Sequence, residues 1–200
     1  AILGFSRIIA ETDNSEERLQ YYDIVEKNNM RLQELINEIL DLSKIESGMM
    51  EFNYAPVNLY KLCDDVKNTY RFRCQSGVDL IFEQSDRSLY ISTDRNRLFQ
   101  IFSNLIGNAT KFTQKGHISF GYKKVDNQII FHVTDTGTGI PAEKLPKIFD
   151  RFMMANDNVA GTGLGLSITK NVIQMHHGVI DVESTQGEGT TFSMRIPLNY

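Results

Sequence analysis

The sequence predicts an α+β protein: an N-terminal αα-hairpin, half of a dimeric four-helix bundle, followed by a unit that mixes strands with helices. Three observations carry this. Val25, Asn28, Leu32, Leu35, Ile39 and Leu42 step by 3, 4, 3, 4 and 3, a heptad seam. Beyond it, short segments alternate apolar and polar residues, the period of strands. Two Gly-rich segments, Asp135-Thr136-Gly137-Thr138-Gly139-Ile140 and Gly161-Thr162-Gly163-Leu164-Gly165-Leu166, end a strand pattern and open a helix pattern.

Residues 1 to about 11 form a first helix, with Ile2, Leu3, Phe5, Ile8 and Ile9 in one wide apolar stripe. Residues 12–15 break it, and Asn14 followed by Glu17 supplies an N-cap and N3 pair. The long second helix runs from about residue 16 to 47, and Ile36 and Leu40 widen its seam. Two wide apolar faces cannot bury themselves, so the hairpin pairs with a second copy, and Asn28 on the seam helps fix register. Gly48 ends the helix. Residues 49–56 form a linker with Phe52 and Tyr54 in a short strand. A helix follows from 58 to about 75, then strands at 78–82 and 89–92. Thr93 or Asp94 caps a helix reaching Phe112, with Leu98, Ile101, Leu105 and Ala109 buried. A hairpin turns at Asp126-Asn127. Residues 142–149 read as a short helix and 153–160 as a mobile loop without lysine or arginine. A helix over about 164–175 and strands at 179–182 and 192–198 complete the chain, with Gly187 and Gly189 in the last turn.

Composition narrows the function. Net charge is −4 and the pI about 5.6, which gives no general attraction to nucleic acid or to an anionic membrane. No apolar run approaches the roughly 20 residues of a spanning helix. Cys63 and Cys74 lack metal-ligand spacing and read as reduced thiols of a cytoplasmic protein. The chain opens inside an apolar pattern, Ala1-Ile2-Leu3, and reads as a fragment.

The chemistry gathers in three places. Asp135 continues the apolar face of its strand, so a carboxylate is carried under the cover of the sheet, where it needs hydrogen bonds. The glycines after it allow a sharp turn and close approach to a ligand. The second Gly-rich segment places backbone N–H groups at a helix start, an anion site. Asn104, Asn108 and Lys111 lie at i, i+4 and i+7 on one helix face. Two amides and an ammonium there suit a metal–polyphosphate, since an amide oxygen is a hard ligand for Mg²⁺. Neither Gly-rich segment fits a Walker or Gly-x-Gly-x-x-Gly pattern.

In this order the segments resemble the catalytic core of sensor histidine kinases, within the GHKL ATP-binding superfamily. Leu98 to Thr113 is similar to the family's N box, Asp135 to Ile140 to its G1 box, and Phe149 to Phe152 to its F box. Gly161 to Leu166 is similar to its G2 box, and Gly187 to Phe192 to its last glycine box. The resemblance covers essentially the whole chain. It implies a dimerisation and phosphotransfer hairpin over 1–48, a linker over 49–56 and an ATP-binding domain over 57–200. That domain would be an α/β sandwich, a mixed sheet covered on one face by helices.

The resemblance also implies roles. Asn108 would ligate Mg²⁺, with Asn104 and Lys111 near the phosphates of ATP. Asp135 would accept from the adenine amino group, with Gly137, Gly139 and Ile140 around the base and Thr190 supporting the contact. Gly161, Gly163, Leu164 and Gly165 would cradle the phosphates. Arg151 would be a candidate γ-phosphate contact, and Phe149 and Phe152 would anchor the loop by packing. The implied partners are a second copy and a response-regulator receiver domain, with the parent a membrane-anchored sensor. The family's phospho-accepting histidine falls about two helical turns before the position matching Ala1. His117, His132, His176 and His177 fall in strand-like or strand-edge stretches and match no acceptor motif. A nucleotide-binding module that transfers nothing, or a GHKL ATPase, are the alternatives.

Overall fold

The computed structural model describes residues 2–83, 86–154 and 161–198. The chain divides into two compact units, Ala1–Met50 and Glu51–Tyr200.

The first unit is α1 (Ile2–Glu11) and α2 (Ser15–Glu46). Asn14 caps α2, its side-chain oxygen accepting from the N–H of Glu16 at 3.0 Å and of Glu17 at 3.4 Å. Gly48, at φ +67°, closes the other end with its N–H on the Ile45 carbonyl. Phe5 stacks on Tyr21 with centroids 5.6 Å apart. A ten-residue helix is about 15 Å long and α2 about 48 Å, so α1 covers only part of α2. Leu32, Ile36, Ile39 and Leu40 are accordingly 47%, 48%, 53% and 53% exposed. Asn28 donates to the Ile24 carbonyl at 2.8 Å, within its own helix.

The second unit contains β1 (Ala55–Asn58), α3 (Leu59–Tyr70), β2 (Val78–Phe82), β3 (Tyr90–Thr93) and α4 (Arg95–Phe112). Then follow β4 (Gly116–Val125), β5 (Gln128–Asp135), α5 (Gly165–Met175), β6 (Val179–Thr185) and β7 (Gly189–Pro197). β1 and β3 form an antiparallel ribbon, and the main sheet runs β2-β4-β5-β7-β6. Only β2 and β4 are parallel, so the sheet is mixed. α3, α4 and α5 bury Leu59, Leu62, Val66, Leu98, Ile101, Phe102, Leu105, Ile168 and Val172. Phe102 lies 5.8 Å from Phe120 and 5.7 Å from Phe131, ring to ring, joining α4 to the centre of the sheet. In β5, Ile129, Phe131, Val133 and Asp135 are buried while the residues between them are not.

Several boundaries differ from the sequence reading. The helix expected to reach residue 75 ends at Tyr70, because the in-step apolar series 59, 62, 66, 70 next meets Arg73. Residues 142–149 hold only a 3-10 turn, Leu145–Lys147, since Pro146 has no N–H for a continuing α-helix. Phe52 and Tyr54 are not in a strand. The strand begins at Ala55 and takes in Pro56, which a two-stranded ribbon tolerates. β7 stops at Pro197, one residue before Leu198. His176 caps the C-terminus of α5 and His177 follows it at φ +56°, so this pair lies at a helix end. Of the expected loop 153–160, residues 155–160 lie outside the described residues.

Residues 52–54 are strapped to the two helices that carry the site. The N–H of Asn53 donates to Asp94 Oδ2 at 2.9 Å, while Asp94 Oδ1 caps α4. Phe52 and Tyr54 meet His176 edge-on, at 4.5 and 5.6 Å. Burial pushes His176 below the usual imidazole range; nearby Asp94 acts the other way and His177 reinforces the burial. Protonation therefore favours the unfolded state. This stability is complete above about pH 6.5 and is lost as pH falls through the lower folded value. Urea midpoints should drop between pH 7.5 and 5.5, and drop less in His176→Phe; equal drops would contradict the assignment. Asp94 acts further down. Burial opposes its ionisation, but N–H groups of Asn53, Arg97 and Asn96 outweigh that and hold it below the carboxylate range.

Candidate functional site

Asp135 closes β5 on the covered face and is 8% exposed. Burial raises its carboxyl above the ordinary range, and N–H groups of Gly137 and Thr190 partly offset this. The Gly137 N–H donates to Oδ1 at 2.9 Å. A carboxylate has about four acceptor sites, so a buried one with two backbone donors fits a ligand that presents a further N–H.

The turn after it is compressed. A Cβ on Gly137 would lie 2.5 Å from the Phe112 carbonyl oxygen, and one on Gly139 (φ +63°) 2.1 Å from the Thr185 carbonyl oxygen. The backbone supports the turn from both sides, with Thr138 N–H on the Phe112 carbonyl at 3.2 Å and Gly187 N–H on the Thr138 carbonyl at 2.8 Å. An open cleft of about 400 Å³ borders it, lined by residues that include Phe112, Lys115, Thr136, Gly137 and Gly187. This cleft includes neither Asp135 nor the α4 amides, so it flanks the polar cluster.

On α4, Asn104 and Asn108 are half-buried and Lys111 is exposed. Asn104 Nδ2 donates to the Gly165 carbonyl and to Thr169 Oγ1, both at 3.1 Å, tying α4 to the first turn of α5. Its Oδ1 is left for another partner. The Asn108 carboxamide makes no hydrogen bond among the described residues. α4 thus touches the start of α5 at Asn104 and the glycine turn at Phe112, and the row Asn104, Asn108, Lys111 spans the two contacts. A half-buried amide without a partner is the chemistry that a hydrated Mg²⁺ accepts.

Gly163, at φ +72°, passes against the Phe152 backbone, where a Cβ would come within 2.6 Å. Among the described residues nothing lies within 4 Å of where a Cβ on Gly161 would sit. Leu164 precedes α5 without a side-chain cap, and its own N–H goes to Thr162 Oγ1 at 3.2 Å. The first N–H groups of an eleven-residue helix are therefore left for an anion. Phe149 packs on Phe192 at 6.4 Å, ring to ring. Phe152 is instead 67% exposed, and at φ +60° its backbone lies against Gly163. Arg151 is exposed in the turn before it.

The sequence reading missed Ser184. Its Oγ lies 2.8 Å from the Ile140 nitrogen, 2.8 Å from the Gly189 carbonyl and 2.9 Å from Thr190 Oγ1. Its parity with Ile180 and Val182, a hydroxyl on the inward face of β6, was the available signal.

A buried carboxylate at a strand end, a glycine turn, an amide-bearing helix and an uncapped helix start define an ATP-binding class of site. Residues 93–200 match the histidine kinase-, DNA gyrase B-, and HSP90-like ATPase family, and the chain belongs to it. Residues 1–48 match the His Kinase A (phospho-acceptor) domain, so within that family the chain is the catalytic core of a sensor histidine kinase. It is 34% identical to the autoinducer 2 sensor kinase/phosphatase LuxQ of Vibrio parahaemolyticus serotype O3:K6, over 98% of this chain and 24% of that protein. It is 35% identical to the circadian input-output histidine kinase CikA of Synechococcus elongatus, over 92% of this chain and 25% of that one. The chain thus spans about a quarter of the length of each of these two relatives. Among solved structures it is similar to full-length ShkA in complex with AMPPNP, with TM-score 0.82 and 28% identity, covering 98% of this chain and 42% of that one. It is also similar to the histidine kinase ThkA in complex with the response regulator TrrA, with TM-score 0.72 and 26% identity, covering 99% and 57%.

Proposed function

We propose that this chain is the ATP-binding and dimerisation core of a two-component sensor histidine kinase. In the parent protein the γ-phosphoryl group of ATP passes to a histidine outside this chain, then to an aspartate of a response-regulator receiver. The carrying observation is the half-buried, unpartnered Asn108 set between the Asp135 turn and the uncapped start of α5. The AMPPNP in the similar ShkA structure and the regulator in the similar ThkA structure support the substrate and the partner.

In this reading Asp135 accepts from the adenine amino group, and Gly137, Gly139 and Ile140 shape the base pocket with Thr190. Gly161, Gly163, Leu164 and Gly165 cradle the phosphates, with Lys111 adding positive charge and Arg151 reaching the γ-phosphate. Mg²⁺, held through Asn108 and assisted by Asn104, would neutralise polyphosphate charge. The transition state of phosphoryl transfer is loose, so the protein's task is positioning and charge neutralisation. The half-exposed seam of α2 supports a homodimer through the hairpin, with the boundaries 1–48, 49–56 and 57–200. No helix among the described residues is long and apolar enough to cross a membrane. We place this part in the cytoplasm of a membrane-anchored parent, without nucleic-acid contact.

Asn108→Ala should weaken Mg·ATP binding by roughly tenfold or more and remove its dependence on Mg²⁺, as titration with and without EDTA would show. An unchanged Mg²⁺ dependence would contradict the ligand assignment. The transfer itself is tested with the parent protein, its upstream helix present, and γ-labelled ATP. Acid-labile, base-stable phosphoprotein is expected; its absence would favour a module that binds nucleotide and transfers nothing.

A further inference from the structure

We propose that Ser184, which lies outside every glycine motif, is a positioning residue that fixes Thr190 as a hydrogen-bond acceptor and so favours adenine over a base bearing a carbonyl. This rests on the ATP reading of the site.

The register puts three polar side chains in one row. Asp135 pairs with Thr190 across β5 and β7, and Ser184 pairs with Thr190 across β6 and β7. Directly paired residues share a face, here the one that also carries Val133, Phe192 and Val182.

The contacts of Ser184 determine where its proton goes. A serine hydroxyl has one proton and two lone pairs. The Ile140 N–H can only donate and takes one lone pair, at 2.8 Å. The Gly189 carbonyl can only accept and takes the proton, at 2.8 Å. The remaining lone pair must therefore receive the hydroxyl proton of Thr190, at 2.9 Å. No other assignment satisfies all three contacts. With its proton committed, Thr190 Oγ1 has only lone pairs to offer, beside the carboxylate of Asp135. The row presents acceptors alone. An exocyclic amino group matches it, whereas a carbonyl at the same position meets like partners.

The same hydroxyl holds the frame. Gly139 and Gly189 bring backbones so close that a Cβ would lie 2.1 Å from the Thr185 oxygen and 2.0 Å from the Asp135 oxygen. Ser184 bridges these segments, linking the residue after the glycine turn to the start of β7. Without it, Thr190 rotates freely and can donate.

The test uses the 200-residue chain and two probes, Mg·ATP and Mg·ITP, which differ at the base position where adenine has its amino group. Wild type should prefer ATP. Ser184→Ala should narrow that preference by roughly tenfold, the worth of one well-placed hydrogen bond. Ser184→Thr, which keeps the hydroxyl, should restore it. Thr190→Val leaves Ser184 its two backbone contacts and should narrow the preference equally, and adding Ser184→Ala should not narrow it further. An equal loss of ATP and ITP affinity in Ser184→Ala would reduce Ser184 to a structural role and overturn the inference. So would an unchanged ratio in Thr190→Val, even if Ser184→Ala failed to fold. A wild-type chain that binds neither nucleotide would instead defeat the ATP reading beneath it.

Discussion

Asp135→Asn is expected to lose about 100-fold in affinity for ATP while making the nucleotide-free chain more stable. The loss follows from counting acceptors. The carboxylate already accepts from Gly137 and Thr190. An amide has a single oxygen, and once Gly137 holds it the other terminus is an NH₂ facing the amino group of the base. A hydrogen bond to a charged group is worth about 1.5–3 kcal/mol, and opposed donors add to the cost. The gain follows from the sign of the pKa shift. Burial raises the folded value above the unfolded one. The favourable contribution is thus complete below about pH 3.8 and gone once pH has risen through the folded value. At neutral pH the ionised group costs stability, and asparagine has no charge to bury. The melting temperatures should cross, with the variant higher without nucleotide and wild type higher at saturating ATP, where ligand at 100 times Kd contributes about 2.7 kcal/mol. Parallel melting shifts with and without ATP would remove Asp135 from the base contact.

The second large effect is expected at Gly189. A Cβ there would sit 2.0 Å from the backbone oxygen of Asp135, at φ +129°. The atoms it would meet are main chain of Asp135 and Thr136, at the end of the paired strand β5, and cannot yield cheaply. Gly189→Ala should cost more than about 3 kcal/mol and lower Tm by roughly 10 °C. Gly187 is the control. It also has positive φ, at +88°, but a Cβ there meets nothing within 4 Å. Gly187→Ala should cost only about 1–2 kcal/mol, the price of the left-handed backbone. Similar melting temperatures for the two variants would show that the close approach is not what requires glycine at 189.

Local physics made much of the fold legible. Asn14, and Thr93 or Asp94, read as caps because a short polar side chain before an apolar repeat satisfies free helix N–H groups, and the structure gives the second cap to Asp94. Asp135 stood out because a carboxylate continued an apolar parity. The errors arose where local pattern and tertiary contact diverge. Phe52 and Tyr54 alternate like a strand, but they meet His176, over a hundred positions away. The 142–149 segment has helical composition apart from Pro146, and the proline prevailed. The F-box resemblance implies a packed Phe152, yet the side chain is exposed and it is the Phe152 backbone that lies against Gly163. Helical spacing and the N-box resemblance point Asn104 toward the phosphates. Its bonds to Gly165 and Thr169 depend on how α5 docks, which no spacing within α4 reveals.

The most direct test is a titration of the chain with Mg²⁺ and a nonhydrolysable ATP analogue, followed through backbone amide resonances. The account predicts saturable shifts that converge on Gly137, on Asn108 and on Gly163 to Gly165, and that weaken in Asp135→Asn. Shifts that avoid all three segments, or none at millimolar analogue, would contradict it.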